Sequence, residues 1–312
     1  MWFYLLRRLV FAVALVFAVS SGSLLLARLA PGDYASDVLG VGAGREEIAA
    51  MRARYGLDRP MFEQYRDWLA GAVRFDFGRS MAYDRPVADL IPERAANTAI
   101  LALTALVAAT LIGLPLGVLA GTRRSGLLST IVGASSLVLL STPPLLTSLF
   151  LVFLAARTGW LPIGGMGTGS AGAIDLARHL IVPAAALALP LAAMFERLQA
   201  QAIGDVVGEP FVIAALARGV PRSRVVWRDA LKAALRPVAS VYGLVVGSLL
   251  SGSFAVEMIT TWPGLGRLMF EALRARDVYL VAGCAAAGSV FLAFGTLLSD
   301  AALALVDPRA RE

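Results

Sequence analysis

The 312-residue chain holds one cysteine (Cys284), one histidine (His179) and one lysine (Lys232). A disulfide within the chain is therefore impossible. A metal site built from clustered His and Cys ligands is excluded as well. A phosphate-binding P-loop needs a lysine followed by Ser or Thr after a glycine-rich turn, whereas Lys232 precedes Ala233 inside a helical pattern. If ATP drives this protein, another chain binds it. Charge is also scarce, at 16% of residues against 58% hydrophobic, too little for a soluble globular domain. The net charge is +6, but the arginines cluster beside apolar runs and no aromatic residues interleave with them. They read as topology signals and lipid-headgroup contacts, with no nucleic-acid partner.

What is present is a set of long apolar blocks, so the chain reads as an all-α polytopic membrane protein. Arg7 and Arg8 precede an apolar run from Leu9 to Ala27, about 28 Å as a helix and enough to cross a bilayer. A secretory signal peptide would have a shorter apolar core and small residues where Arg28 stands, so this first helix is expected to be retained and to start in the cytoplasm. Polar sequence follows as far as Arg94. Within it, Arg45 to Tyr55 and Phe62 to Arg74 read as amphipathic helices, with Ile48, Met51 and Tyr55 on one face and Phe62, Tyr65 and Leu69 on the other helix's face. Further spans are expected at Asn97–Gly121, with breakers at Gly113, Pro115 and Gly117, and at Gly126–Ala156, interrupted by Pro143-Pro144. A fourth runs from about His179 to Phe195, after a glycine-rich loop carrying Trp160; a fifth and sixth are Val238–Val256 and Val278–Val306. Arg123 and Arg124 mark an internal turn. Six spans, both termini cytoplasmic, place the arginine excess in the internal loops.

The richest of those loops is EPFVIAALARGVPRSRVVWRDALKAALRP, Glu209 to Pro237. Phe211, Val212, Ala215 and Leu216 form an apolar stripe, Gly219 stops the helix, Pro221 restarts one, and Val226, Ala230, Ala234 and Leu235 form the next stripe. A loop that only held orientation against anionic lipid would explain the charge but not the two helices.

The run Ala214-Ala215-Leu216-Ala217-Arg218-Gly219, with Pro237 eighteen residues after the glycine, resembles the cytoplasmic EAA loop of bacterial ABC-importer permeases, in the spacing of the dipeptide, oligopeptide and nickel permeases. The family's usual Arg, His and Asn stand here as Leu216, Asp229 and Ala233. Other segments resemble the same family: LARLAPGD at Leu26–Asp33, YGLDRP at Tyr55–Pro60, FGRSMAYDRPVADLIPER at Phe77–Arg94, TWPGLGRLMFEALRARD from Thr261, and Leu305–Arg309. The resemblance implies an extracytoplasmic cap after helix 1 and a cytoplasmic coupling helix between helices 4 and 5. The expected regions are an N-terminal transmembrane helix (1–30), the cap (31–95), a permease core (96–306, coupling loop 205–237) and a cytoplasmic tail (307–312). It further implies a subunit, itself not an enzyme, of an ATP-driven importer in the bacterial inner membrane. Its partners would be a sister permease in a heterodimer, two ATPases that bind ATP and Mg, and an extracytoplasmic solute-binding protein; the cargo would be a peptide, or else nickel, glutathione or another small solute. Ala214, Ala215, Ala217, Arg218, Gly219, Val220, Pro221 and Arg224 are the residues expected to engage an ATPase.

Read for chemistry, the spans offer Ser135, Ser136, Ser141, Thr142, Ser248 and Ser251 as lining for a polar path, with helix-helix or back-bonding hydrogen bonds as the alternative. His179 stands near a span end with no Cys partner and no acid obvious beside it, which suits an interfacial hydrogen-bonding role. Glu196 and Arg197 sit where they can pair or reach the inner interface. Proton relay by Glu196 or Asp300 would define a secondary transporter instead, though paired half-helix repeats are missing. No nucleophile motif supports a hydrolase. Cys284 reads as a small buried hydrophobe.

Overall fold

A computed structural model describes residues 2–40, 44–122, 126–167 and 172–306. It is all-α: the described residues contain no strand beyond an isolated antiparallel bridge between Arg79 and Pro86. The helices are α1 (Trp2–Leu29), α2 (Tyr34–Leu39), α3 (Arg45–Arg54), α4 (Met61–Ala72), α5 (Val87–Thr122), α6 (Leu127–Ser141), α7 (Pro144–Thr158), α8 (Gly172–Val206), α9 (Pro210–Ala217), α10 (Arg222–Arg224), α11 (Leu231–Ile259), α12 (Leu265–Arg274) and α13 (Val278–Val306). A π-helical segment, Val225–Ala230, joins α10 to α11. Among the described residues five helices are long and apolar enough to cross a membrane, and a sixth span results if the bent pair α6–α7 counts as one. The expected sixth span, Val278–Val306, coincides with α13. Arg123 and Arg124 lie outside the described residues.

The bend between α6 and α7 is 105°, far more than an interruption. Its cause is local. A residue ahead of proline is pushed out of the helical region, and both Thr142 (φ −99°, ψ 114°) and Pro143 (φ −58°, ψ 147°) are extended, because each precedes a proline.

The chain divides into two units, residues 1–98 with 263–293, and 99–262 with 294–312. In the first unit, α2 is held by a capping box: Asp33 accepts from Ser36 N at 2.9 Å while Ser36 Oγ accepts from Asp33 N at 3.0 Å. Arg52 on α3 donates to the same carboxylate at 2.6 Å. Burial alone would raise the Asp33 pKa, but the bonds from Arg52 and Ser36 outweigh it and hold the carboxyl below its usual range. On α3, Ile48, Met51 and Tyr55 are half-buried, as their spacing requires. On α4 the buried face differs from the expected one. Gln64 and Trp68 point inward, Tyr65 and Leu69 are half-buried, and Phe62 is 74% exposed. Trp68 instead packs with Leu24 and Ala282.

The core of the second unit is built from α5, α8 and α11. Leu101, Ala105 and Ala109 of α5 meet Leu187, Ala188 and Phe195 of α8, and Val238, Val245 and Leu249 of α11. Phe195 stacks on Tyr242 at 5.0 Å, and the Tyr242 hydroxyl bonds Thr110 Oγ1. Lipid gives little hydrophobic driving force for such packing, so close contact must supply it. Gly113 and Gly117, expected only as breakers, turn out with Gly121 to be the contact face. A Cβ on Gly113 would stand 2.5 Å from Ala192 O, and one on Gly117 2.6 Å from Glu196 O; Gly121 meets Ala200 O in the same way. Four-residue spacing puts the three glycines on one side of α5, where main chain lies against main chain.

Candidate functional site

The basic loop forms a firmly anchored corner of the second unit. Pro210 opens α9 at a first-turn position, where the missing N–H has no helical partner to lose. The apolar stripe then splits. Val212 and Ala215 are buried against Val118, Ala202, Ile203, Val225 and Val226, whereas Phe211, Ile213 and Leu216 remain 46%, 57% and 39% exposed. The second stripe is likewise inward, with Val226, Ala230 and Ala234 buried and Leu235 half-buried. An Arg222 guanidinium N–H donates to Thr122 O at 3.2 Å, linking the loop to the end of α5.

Helix α9 closes in a Schellman turn. Val220 N–H donates to Ala215 O at 3.2 Å and Gly219 N–H to Leu216 O at 2.9 Å. Gly219 has φ +81°, and a Cβ there would meet nothing within 4 Å. Backbone conformation, not space, therefore calls for glycine. Of the residues expected to face a partner, Ala214, Ala217, Arg218, Gly219, Pro221 and Arg224 are exposed, Val220 is half-buried and Ala215 is buried. Arg222, Arg228, Lys232 and Arg236 are exposed as well. The corner thus combines an exposed apolar strip on α9 and exposed cations after it with a buried apolar base. The π-helical segment that follows is not expected from the sequence stripe; such segments absorb an extra residue in a helical run.

The hydroxyls of the spans have several fates. Ser141 and Thr142 bond back to Leu137 O and Val138 O at 2.9 and 2.8 Å, one turn earlier, at the bend. Ser136 is buried, and Ser135 is exposed. The side chains of Ser248, Ser251 and Asp300 lie outside the described residues. His179, expected without an acid beside it, has Asp175 one turn earlier: Nδ1 lies 2.9 Å from Asp175 O and 3.4 Å from Oδ1. Cys284 is buried among Val87, Leu280 and Val281. Glu196 and Arg197 do not pair. Arg197 is exposed, while Glu196 is 3% exposed and its Oε2 has no hydrogen-bonding partner.

In the first unit the structure brings together residues that sequence spacing does not. Asp277, fully buried, accepts on Oδ2 from Ser80 Oγ (2.6 Å), Met81 N (2.7 Å) and Ala82 N (3.1 Å), and on Oδ1 from Leu280 N (3.1 Å). The turn that begins at Gly78, Arg79 and Ser80 is thus seated on a buried carboxylate. Beside it the Tyr83 hydroxyl donates to Glu271 at 2.6 Å; burial and that carboxylate push its pKa up to about 12. Arg79 pairs with Asp84 at 2.9 Å and holds that carboxyl below its usual range.

Comparison with known proteins bears on both units. Residues 113–312 match the family described as binding-protein-dependent transport system inner membrane component, and residues 1–102 match its N-terminal region. The chain is 31% identical over 310 residues to the oligopeptide transport system permease protein AppB of Bacillus subtilis (strain 168), covering 98% of each. It is 32% identical over 312 residues to the glutathione transport system permease protein GsiC of Shigella flexneri serotype 5b (strain 8401), covering 99% of this chain and 98% of the relative.

Proposed function

The chain belongs to the binding-protein-dependent transport system inner membrane components, and from that membership we propose that it carries short peptides inward, gated by ATPases docked on the loop 209–237. It is a multi-pass inner-membrane permease subunit of an ABC importer, and ATPase and binding-protein partners follow from the family. The peptide cargo is inferred from relatives named for oligopeptides and glutathione. In our reading the permease pairs with a sister permease, two ATPases hold ATP and Mg, both termini are cytoplasmic, and the 31–95 region faces the binding protein.

One observation carries the coupling role. The outer side of α9 offers Phe211, Ile213 and Leu216 to solvent, with the exposed Arg218, Arg222 and Arg224 following at its C-terminal end, while its inner side is fastened to α8 and the start of α11. An apolar strip with cations beside it is what a helix seated in a partner's groove presents. Leu216, where the family's loop usually has arginine, makes that strip more apolar. Closure of the ATPases would push on α9, and its anchored base would pass the displacement to α8 and α11 as a rigid-body tilt. Ala214, Ala217, Arg218, Gly219, Pro221 and Arg224 would lie at the contact, with Ala215 and Val220 bracing it from within. Ser135, Ser136, Ser141, Thr142, Ser248 and Ser251 would contribute to the polar path.

The test is copurification followed by reconstitution. An ATPase pair should remain with this subunit in detergent, and uptake should need nucleotide and binding protein. Uptake by this chain alone in nucleotide-free liposomes would overturn the proposal in favour of a secondary transporter. Charge reversal at Arg218 or Arg224 should weaken ATPase association more at low salt than at high salt, because exposed charges are screened. A defect independent of salt would contradict docking by surface charge.

A further inference from the structure

Glu196 poses a physical problem that the coupling role leaves unsolved. The residue is 3% exposed, its Oε2 has no donor, and among the described residues it forms no ion pair. An uncompensated ion in such a place is strongly disfavoured, and ionisable groups within spans mark functional sites. One turn further on, Gln199 is fully buried with both amide atoms unpartnered. Unmet hydrogen-bonding capacity is thus concentrated on one stretch of α8.

That stretch borders open space. A cleft of about 640 Å³ lies between the end of α5, one side of α6 from Ser129 to Leu137, and the last third of α8, and Glu196 belongs to its wall. Gly133 and Gly204 leave stretches of that wall without side chains, while Ser129, Gln201 and Asp205 supply polar groups. Glu196 stands ten residues, about 15 Å, before the end of α8. The volume suits a small solute rather than a single water.

The geometry points to a recognition site in this cleft for the ammonium group of a small solute, with Glu196 as the counter-charge. A primary ammonium is compact and carries three donors, so it can meet the unpaired carboxylate and still bond to neighbouring oxygens. Resting on the transport reading, this makes the cleft a station for solutes with a free amine, such as the N-terminus of a short peptide, on the loop side of the spans.

The experiment uses the purified transporter complex in nanodiscs, with this chain carrying Cys284→Ser and a reporter Gln201→Cys on the cleft wall. The reporter is labelled with a cationic and an anionic methanethiosulfonate of similar size, and the ratio of rates is read by mass spectrometry of this chain. A buried negative charge nearby should favour the cationic reagent by about tenfold. Glu196→Gln should remove that preference and Glu196→Asp should keep it, while all variants elute with the ATPases. Dialanine at millimolar concentration should slow labelling, N-acetyl-dialanine should not, and the difference should vanish in Glu196→Gln. An unchanged ratio in Glu196→Gln would overturn the proposal, because the charge preference of the cleft would then not come from Glu196. Equal protection by the two dipeptides, or by neither, would overturn it as well. Binding-protein-stimulated ATP hydrolysis, measured on the unmodified complex, separately tests the transport reading, which stands or falls whatever the labelling shows.

Discussion

Replacing Gly219 by alanine tests whether the loop works through its backbone. At φ +81° with free space around the missing Cβ, alanine meets no clash within the chain, so the cost is that of holding an L-residue in the left-handed region, about 1–2 kcal/mol. That cost falls on the Schellman turn that ends α9 and orients Val220 toward the buried cluster. If the turn must be formed for the ATPases to act on the spans, its population relative to opened forms drops about 5- to 30-fold. Stimulated ATP hydrolysis, measured in the reconstituted complex with saturating binding protein, should fall within that range, with the complex still assembled. Asparagine tolerates the left-handed region far better than alanine does, so Gly219→Asn should recover most of the activity despite its larger side chain. Aspartate adds charge to conformational cost and should abolish stimulation. Alanine behaving as wild type, or asparagine proving as harmful as alanine, would refute the reasoning; the second result would show that bulk against a partner, not φ, is what the glycine avoids.

Three further outcomes are expected. Asp277→Asn places an amide N–H₂ among donors and leaves one or more buried N–H or O–H groups unmet, costing about 1–3 kcal/mol; faster tryptic cleavage after Arg79 would report it, and unchanged cleavage would contradict the seating of that turn. The ion pair at Asp33 sets a pH window. Because its folded pKa lies below the unfolded 3.8, its stabilisation is present above about pH 4 and is lost as pH falls through the folded value. Hydrogen exchange at α2 should thus accelerate on going from pH 5 to pH 3, after correction for intrinsic rates, and Asp33→Asn should remove most of that dependence. Gly117→Val must push the backbones of α5 and α8 apart; a loss of about 1–3 kcal/mol is expected, read as a lower melting temperature of the complex in detergent, whereas Gly133→Val, with nothing within 4 Å, should melt as wild type.

Much of the architecture was legible because its determinants are local. Apolar length located the spans, charge rationed the loops, and the Gly219–Pro221 break marked α9 and α10. What stayed hidden depends on residues far apart in the chain or on small residues read by composition alone. Ser80 and Asp277 are 197 positions apart, and nothing in either neighbourhood announces the other. Phe62 and Trp68 both suit an amphipathic face; which one is buried depended on where Leu24 and Ala282 lay. Gly113 and Gly117 looked like interruptions because glycine usually weakens a helix, and only the presence of α8 makes them a surface. Glu196 and Arg197 were expected to pair or to reach the inner interface; residues next to one another on a helix point about 100° apart, and here one is buried and one exposed.

The glycine face of α5 has a mechanical consequence. Along Gly113, Gly117 and Gly121 there is no cushion of side chains for α5 and α8 to shear across, so a tilt imposed on one is carried by the other, and the two behave as a single strut. The yielding joint in this unit is then the elbow at Thr142–Pro144, where the hydrogen-bond ladder is already broken and little must be sacrificed to change the angle.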